Sequence, residues 1–177
     1  MVQKFKKWTP KIKKSAWIAA SANLIGNVKI GKDSSIWFGC VVRGDVNKIR
    51  IGKRTNIQDL SMIHVTHSEP EANMNGNAAI IGDDVTIGHK VMLHGCTIKN
   101  KCLIGMSATI LDGAIIGEGS IVGANSLVTA NKIFPARSLI MGSPAKVVKT
   151  LNKKEVKALK KHAGLYVNYK NDYHIWK

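Results

Sequence analysis

The sequence predicts a mainly β protein: a left-handed parallel β-helix of hexapeptide repeats, closed by a C-terminal α-helix. Three observations carry this. A branched apolar residue recurs every six positions, a small residue sits two positions before most of them, and glycine often follows directly. A six-residue period is the signature of a parallel β-helix. Three hexapeptides close one triangular coil, the branched side chain points into the prism, and small residues fit its corners. A β-sandwich would instead alternate with period two and show no sixfold register.

The apolar series opens at Ile18, Leu24, Ile30, Ile36 and Val42 and resumes at Ile51, Ile57 and Ile63. It continues at Ile81, Ile87 and Leu93, then at Ile98, Ile104, Ile110, Ile116, Val122 and Val128. Cys40, Cys96 and Cys102 hold the small position two residues before an inward one. They read as buried small residues rather than disulfides, as expected of a reducing cytoplasm. The period breaks in three places: Val42 to Ile51 is nine residues, Leu93 to Ile98 is five, and Ile63 to Ile81 is eighteen. The longest break holds a protruding, turn-rich loop at about 67–77. Beyond the repeats, Met141-Gly142-Ser143-Pro144 reads as a turn. Asn152 with Glu155 then resembles a capping box, and Val156, Leu159, Ala163, Tyr166 and Val167 follow at helical spacing. The division expected is a prism over 1–150 with a helix over 151–177 packed on it.

Charge narrows the function. The formal net charge is +16, but residues 1–14 carry six lysines and no acid, and residues 146–177 carry nine lysines against Glu155 and Asp172. The prism itself is close to neutral, with no platform of interleaved basic and aromatic residues for nucleic acid. No apolar run approaches the ~20 residues of a membrane span, and the basic start lacks the pattern of a secretory signal. A cytoplasmic protein without nucleic-acid or membrane partners is expected.

Counting faces places the polar residues. If the prism resumes on its next face at Ile81, then Ile36, Ile57 and Ile87 share one face, and Val42, Ile63 and Leu93 the next. Arg43, His64 and His94 then point outward in one column, on coils ~4.8 Å apart. His89 follows Ile87 on the other face, in a column with Asp59. Three neutral imidazoles and one open position make a catalytic zinc site. Here one chain offers two imidazoles in one column and the third elsewhere, so a neighbouring copy must complete the site. Rotational symmetry follows, and a homotrimer with metal sites at subunit interfaces is expected.

The residues Arg43-Gly44-Asp45, Asn56-Ile57-Gln58-Asp59, His64, Val85-Thr86-Ile87-Gly88-His89 and Leu93-His94-Gly95-Cys96 make a family visible. Over about residues 8–170 the chain resembles the γ-class carbonic anhydrases, in a bacterial branch with a short loop. The resemblance implies that His64, His89 and His94 bind Zn2+, or alternatively Fe2+ or Co2+. It implies reversible hydration of carbon dioxide to bicarbonate by metal-bound hydroxide. Positions matching Arg43, Asp45 and Asp59 form a charged interface network in that family. Gln58 and Asn56 match residues that orient hydroxide and carbon dioxide, and Tyr166 matches one that reaches a neighbour's pocket. Blander readings stand beside these: Arg43 and Asp45 as an ion pair only, Asn56 as a corner cap, Tyr166 as part of the helix's buried stripe.

One departure bears on activity. Where an archaeal member of the family has a glutamate after Arg-Gly-Asp, this chain has Val46, leaving Glu69, Glu71 and His67 as candidates to carry the proton away. His67, His162 and His174 otherwise read as solvent-exposed. Two alternatives remain: a hexapeptide-repeat acyl- or acetyltransferase, in which an imidazole serves as base and Gly142-Ser143-Pro144-Ala145-Lys146 recurs, and a metal-bearing trimeric scaffold or binding protein without catalysis.

Overall fold

The structure, a computed structural model, describes residues 1–67 and 76–174, without the side chain of residue 174. Among them are twenty strands, β1–β20, and one helix, α1. Three stacks of short strands run up a prism.

The first face stacks β3 (Trp17–Ile18), β5 (Ser35–Ile36), β7 (Asn56–Ile57), β10 (Thr86–Ile87), β13 (Leu103–Ile104), β16 (Ile121–Val122) and β19 (Ser138–Gly142). All pair in parallel, so that Ile18, Ile36, Ile57, Ile87, Ile104, Val122 and Ile140 form one register column. An antiparallel strand, β20 (Ala145–Thr150), closes this eight-stranded sheet. The second and third faces are joined because β4 (Asn23–Ile30) and β6 (Val41–Ile51) bend round a corner and belong to both. Onto one end of β6 stack β8 (Met62–His64), β11 (Met92–His94), β14 (Thr109–Ile110) and β17 (Leu127–Val128). Onto the other stack β9 (Ala79–Ile81), β12 (Thr97–Ile98), β15 (Ile115–Ile116) and β18 (Ile133–Phe134). Near the start of the chain, β1 (Val2–Gln3) and β2 (Lys11–Ile12) pair with β4.

The predicted face count holds: Ile36, Ile57 and Ile87 share one column, and Val42, Ile63 and Leu93 the next. The repeat also runs further than the apolar series, since Phe134 and Ile140 continue the columns. Inward isoleucines and leucines from Leu24 to Ile116 are almost wholly buried, each contributing about 1.5–3 kcal/mol. The glycines after inward positions are required by close approach. A Cβ on Gly31 would stand 2.3 Å from Gly52 O, and one on Gly52 2.5 Å from Gly82 O.

Each break in the period shapes the outer surface near the histidines. In the nine-residue break, residues 45–48 of β6 lie opposite Asn27 alone, between the pairs Gly26–Gly44 and Val28–Ile49. This bulge re-aims a side chain in the way bulges do, and it turns Asp45 towards β8. In the eighteen-residue break Thr66 N–H donates to Asn77 O at 3.0 Å, and most of the loop expected at about 67–77 lies outside the described residues. Asn47 Nδ2 ties Thr66 to Gly76 by donating to both carbonyls. The candidate relay residues Glu69 and Glu71 lie outside the described residues; His67 is exposed.

Helix α1 (Lys153–His174) begins with the expected capping box. Asn152 N–H donates to Glu155 Oε2 at 2.7 Å, and Glu155 N–H donates to Asn152 Oδ1 at 3.0 Å. It packs on the first face against β5 and β10, where the Tyr166 and Trp37 rings meet edge-on at 5.7 Å.

Candidate metal centre

His64 and His94 end β8 and β11 and are register partners. His64 Nδ1 lies 3.1 Å from His94 Nε2. The other nitrogen of each ring is held by a carboxylate: His64 Nε2 at 3.0 Å from Asp45 Oδ1, and His94 Nδ1 at 2.9 Å from Asp112 Oδ2. Asp45 also bonds Arg43, and Asp112 also accepts from the Thr66 hydroxyl. Burial holds the His64 imidazole below its usual pKa, reinforced by Arg43 and His94 and opposed by the Asp45 hydrogen bond. Its neutral form, the one that binds metals, is thereby favoured. Burial pushes the Asp45 carboxyl up, but the bonds from His64 and Arg43 outweigh it and hold the group below its ordinary value.

The donor set suits a tetrahedral metal. Two ligand nitrogens at ~2.0–2.1 Å and the tetrahedral angle stand roughly 3.3 Å apart, close to the 3.1 Å seen. A carboxylate on the far nitrogen is the usual way a ligating histidine is fixed in orientation and tautomer. One chain stops at two. Among the described residues, no group of three or more His, Cys, Asp or Glu side chains could hold a metal ion. His89 sits on the other face, with Nδ1 2.8 Å from Asp59 Oδ2 and 46% of its side chain exposed.

The remaining predicted residues gather beside His89. Gln58 Nε2 donates to Asn56 Oδ1 at 3.1 Å, and Asn56 Nδ2 donates to Thr86 Oγ1 at 3.0 Å. Both amides are buried, so Asn56 faces a side-chain network, beyond a corner cap. Tyr166 reaches this group from α1 and hydrogen-bonds Gln58; its burial pushes the phenol pKa up. Gln58, Thr86 and Tyr166 line, with His89 and His162, a cavity of about 280 Å³. The predicted residues thus fall into two groups on different faces: Arg43, Asp45, His64 and His94 in one, Asn56, Gln58, Asp59, His89 and Tyr166 in the other.

Asp112, Thr86 and His162 escaped the sequence reading. Asp112 reaches His94 because the five-residue break turns on Gly95, at φ +52°, where a Cβ would stand 2.2 Å from Asp112 Oδ1. The break signalled a tight corner; nothing in it named the carboxylate. His162, expected in solvent, is half-buried, with Nδ1 3.2 Å from Thr86 Oγ1. All three cysteines are free and buried, with burial raising the Cys40 thiol to about 11 and the Cys96 and Cys102 thiols to about 12.

No helix among the described residues is long and apolar enough to cross a membrane. The bacterial transferase hexapeptide (six repeats) family matches residues 9–44 and 95–130. The chain is 42% identical to a carbonic anhydrase of Geobacillus kaustophilus, over 94% of this chain and 87% of that protein. It is 42% identical to the mitochondrial gamma carbonic anhydrase 2 of Arabidopsis thaliana, over 90% of this chain and 57% of that protein. Among solved structures, a hexapeptide transferase family protein from Anaplasma phagocytophilum superposes with a TM-score of 0.89 at 38% identity, covering 97% of both chains. With the repeat, the register of the histidines and these relatives in agreement, the chain belongs to the γ-class carbonic anhydrase-like family of hexapeptide-repeat proteins.

Proposed function

We propose that the protein is a metal-dependent carbonic anhydrase acting as a homotrimer, with each metal held between subunits. The observation that carries this is the pair of imidazole nitrogens, His64 Nδ1 and His94 Nε2, facing each other while carboxylates hold their far sides. His89 of a neighbouring copy supplies the third nitrogen. Zn2+ fits three neutral imidazoles, as do Fe2+ and Co2+. When bound, the metal supplies a water acidified towards pKa ~7, and so a nucleophile for carbon dioxide at neutral pH.

The chain's own residues do the rest. Asp45, Asp112 and Asp59 fix the rings of His64, His94 and His89, and Arg43 neutralises Asp45 at the subunit boundary. Asn56 holds the Gln58 amide, which together with the Tyr166 hydroxyl offers polar contacts to the attacking oxygen and to bicarbonate. The test is stopped-flow hydration of carbon dioxide by protein reconstituted with zinc, and with iron without oxygen. Activity is expected in the wild type and none in His89→Ala. A fully metallated, inactive trimer would remove the reading.

A second reading, acyl transfer, draws on the transferase names carried by the matching repeat family and the solved neighbour. Acetyl-CoA binding by calorimetry decides it, and none is expected.

A further inference from the structure

His162 lies one helical turn before Tyr166 in α1, with the two rings 5.6 Å apart. It is half-buried, its Nδ1 rests on the Thr86 hydroxyl, and it lines the same cavity as His89, Gln58 and Tyr166. The remaining wall is apolar, from Leu103, Ile104 and Met106. At ~30 Å³ per water, a cavity of this size takes several waters.

Hydration of carbon dioxide releases one proton per turnover, and among the described residues the side chains at the centre are poorly suited to carry it. The imidazoles of His64, His89 and His94 are each tied to an aspartate. Asn56 and Gln58 are amides, Val46 is apolar, and burial makes Tyr166 a weaker acid. His162 differs from these three histidines in that its Nδ1 lies 3.2 Å from a hydroxyl, that of Thr86, rather than against a carboxylate. A ring paired to a neutral group can gain and lose a proton without first breaking an ion pair.

We propose that His162 is the proton acceptor of carbon dioxide hydration at this site, a role that rests on the anhydrase reading. The attacking water passes one proton, through water in the cavity, to the unprotonated nitrogen of His162. Its oxygen forms the new C–O bond, one C=O electron pair moves onto oxygen, and bicarbonate leaves. The imidazolium then gives its proton to a buffer base in solvent and returns to the neutral ring. No electron is exchanged with the protein.

The experiment compares wild type with His162→Ala at matched metal content. In dilute buffer, kcat of the variant is expected to fall roughly tenfold or more, within the range of general acid–base effects, while kcat/KM stays within about twofold of wild type. Added imidazole should restore kcat. Calorimetry on the metal-free variant should show imidazole entering the vacated space, with no such binding to metal-free wild type. A variant that keeps its kcat in dilute buffer overturns the role. So does one that loses kcat and kcat/KM together and neither binds nor responds to imidazole, because that loss is structural. An inactive wild type overturns the anhydrase reading and this role with it; an active wild type beside an unaffected variant overturns this role alone.

Discussion

Asp112 shows how a single side chain fixes an arrangement that a pattern can only outline. It holds His94 Nδ1, and so leaves Nε2 facing His64. Replacing it as Asp112→Asn keeps the volume and removes the charge. The expected result is a 10- to 100-fold loss of metal affinity, the usual effect of disturbing such a partner, read by competition with a chelator at unchanged melting temperature. The histidines were visible in the sequence because each stands at a fixed offset from an inward residue: one after Ile63 and Leu93, two after Ile87. Asp112 belongs to the next coil and depends on Gly95 permitting a tight corner. Thr86 and His162 are far apart in sequence and meet only because α1 lies on the first face.

The elements were legible where side chains repeat and obscure where the chain departs from the repeat. Register columns through Ile57 and Ile63 follow from a count of six. The bulge in β6 does not: nine residues between Val42 and Ile51 announce an insertion, but they do not say that Asp45 meets His64 on β8. The helix start was readable because Asn152 and Glu155 satisfy each other's backbone donors. Asn152→Ala should cost about 1 kcal/mol of stability, measured by denaturant unfolding. The Lys149 hydrogen bond, and then the Asn152 backbone, lower the Glu155 pKa. A depressed folded-state pKa stabilises fully above the ordinary carboxylate range, and the effect is lost as pH falls through the folded value. Wild type and Glu155→Gln should therefore differ in thermal unfolding near neutrality and converge in acid; a gap that persists in acid would contradict this.

For the whole molecule, the prism is a rigid ruler that keeps the His64–His94 pair and His89 apart in one chain. Both sheets derive from the same repeat, yet His64 and His94 stand on one face and His89 on another, and no bend of so regular a core brings them together. On the proposed function, a second copy placed by rotation brings them together. The charge is also a property of the whole: thirteen of the sixteen net positive charges sit at the two ends, leaving the site to the local pairs formed by Arg43, Asp45, Asp59 and Asp112.

The measurement that tests the shared site most directly mixes two defective chains. His64→Ala lacks one half-site and His89→Ala the other, and each alone should neither hold metal tightly nor hydrate carbon dioxide. Co-refolded with zinc, they form mixed trimers in which one interface joins an intact His64–His94 pair to an intact His89. The account predicts recovery of one metal and one active site per mixed trimer. Mixed trimers with no metal and no activity would contradict it.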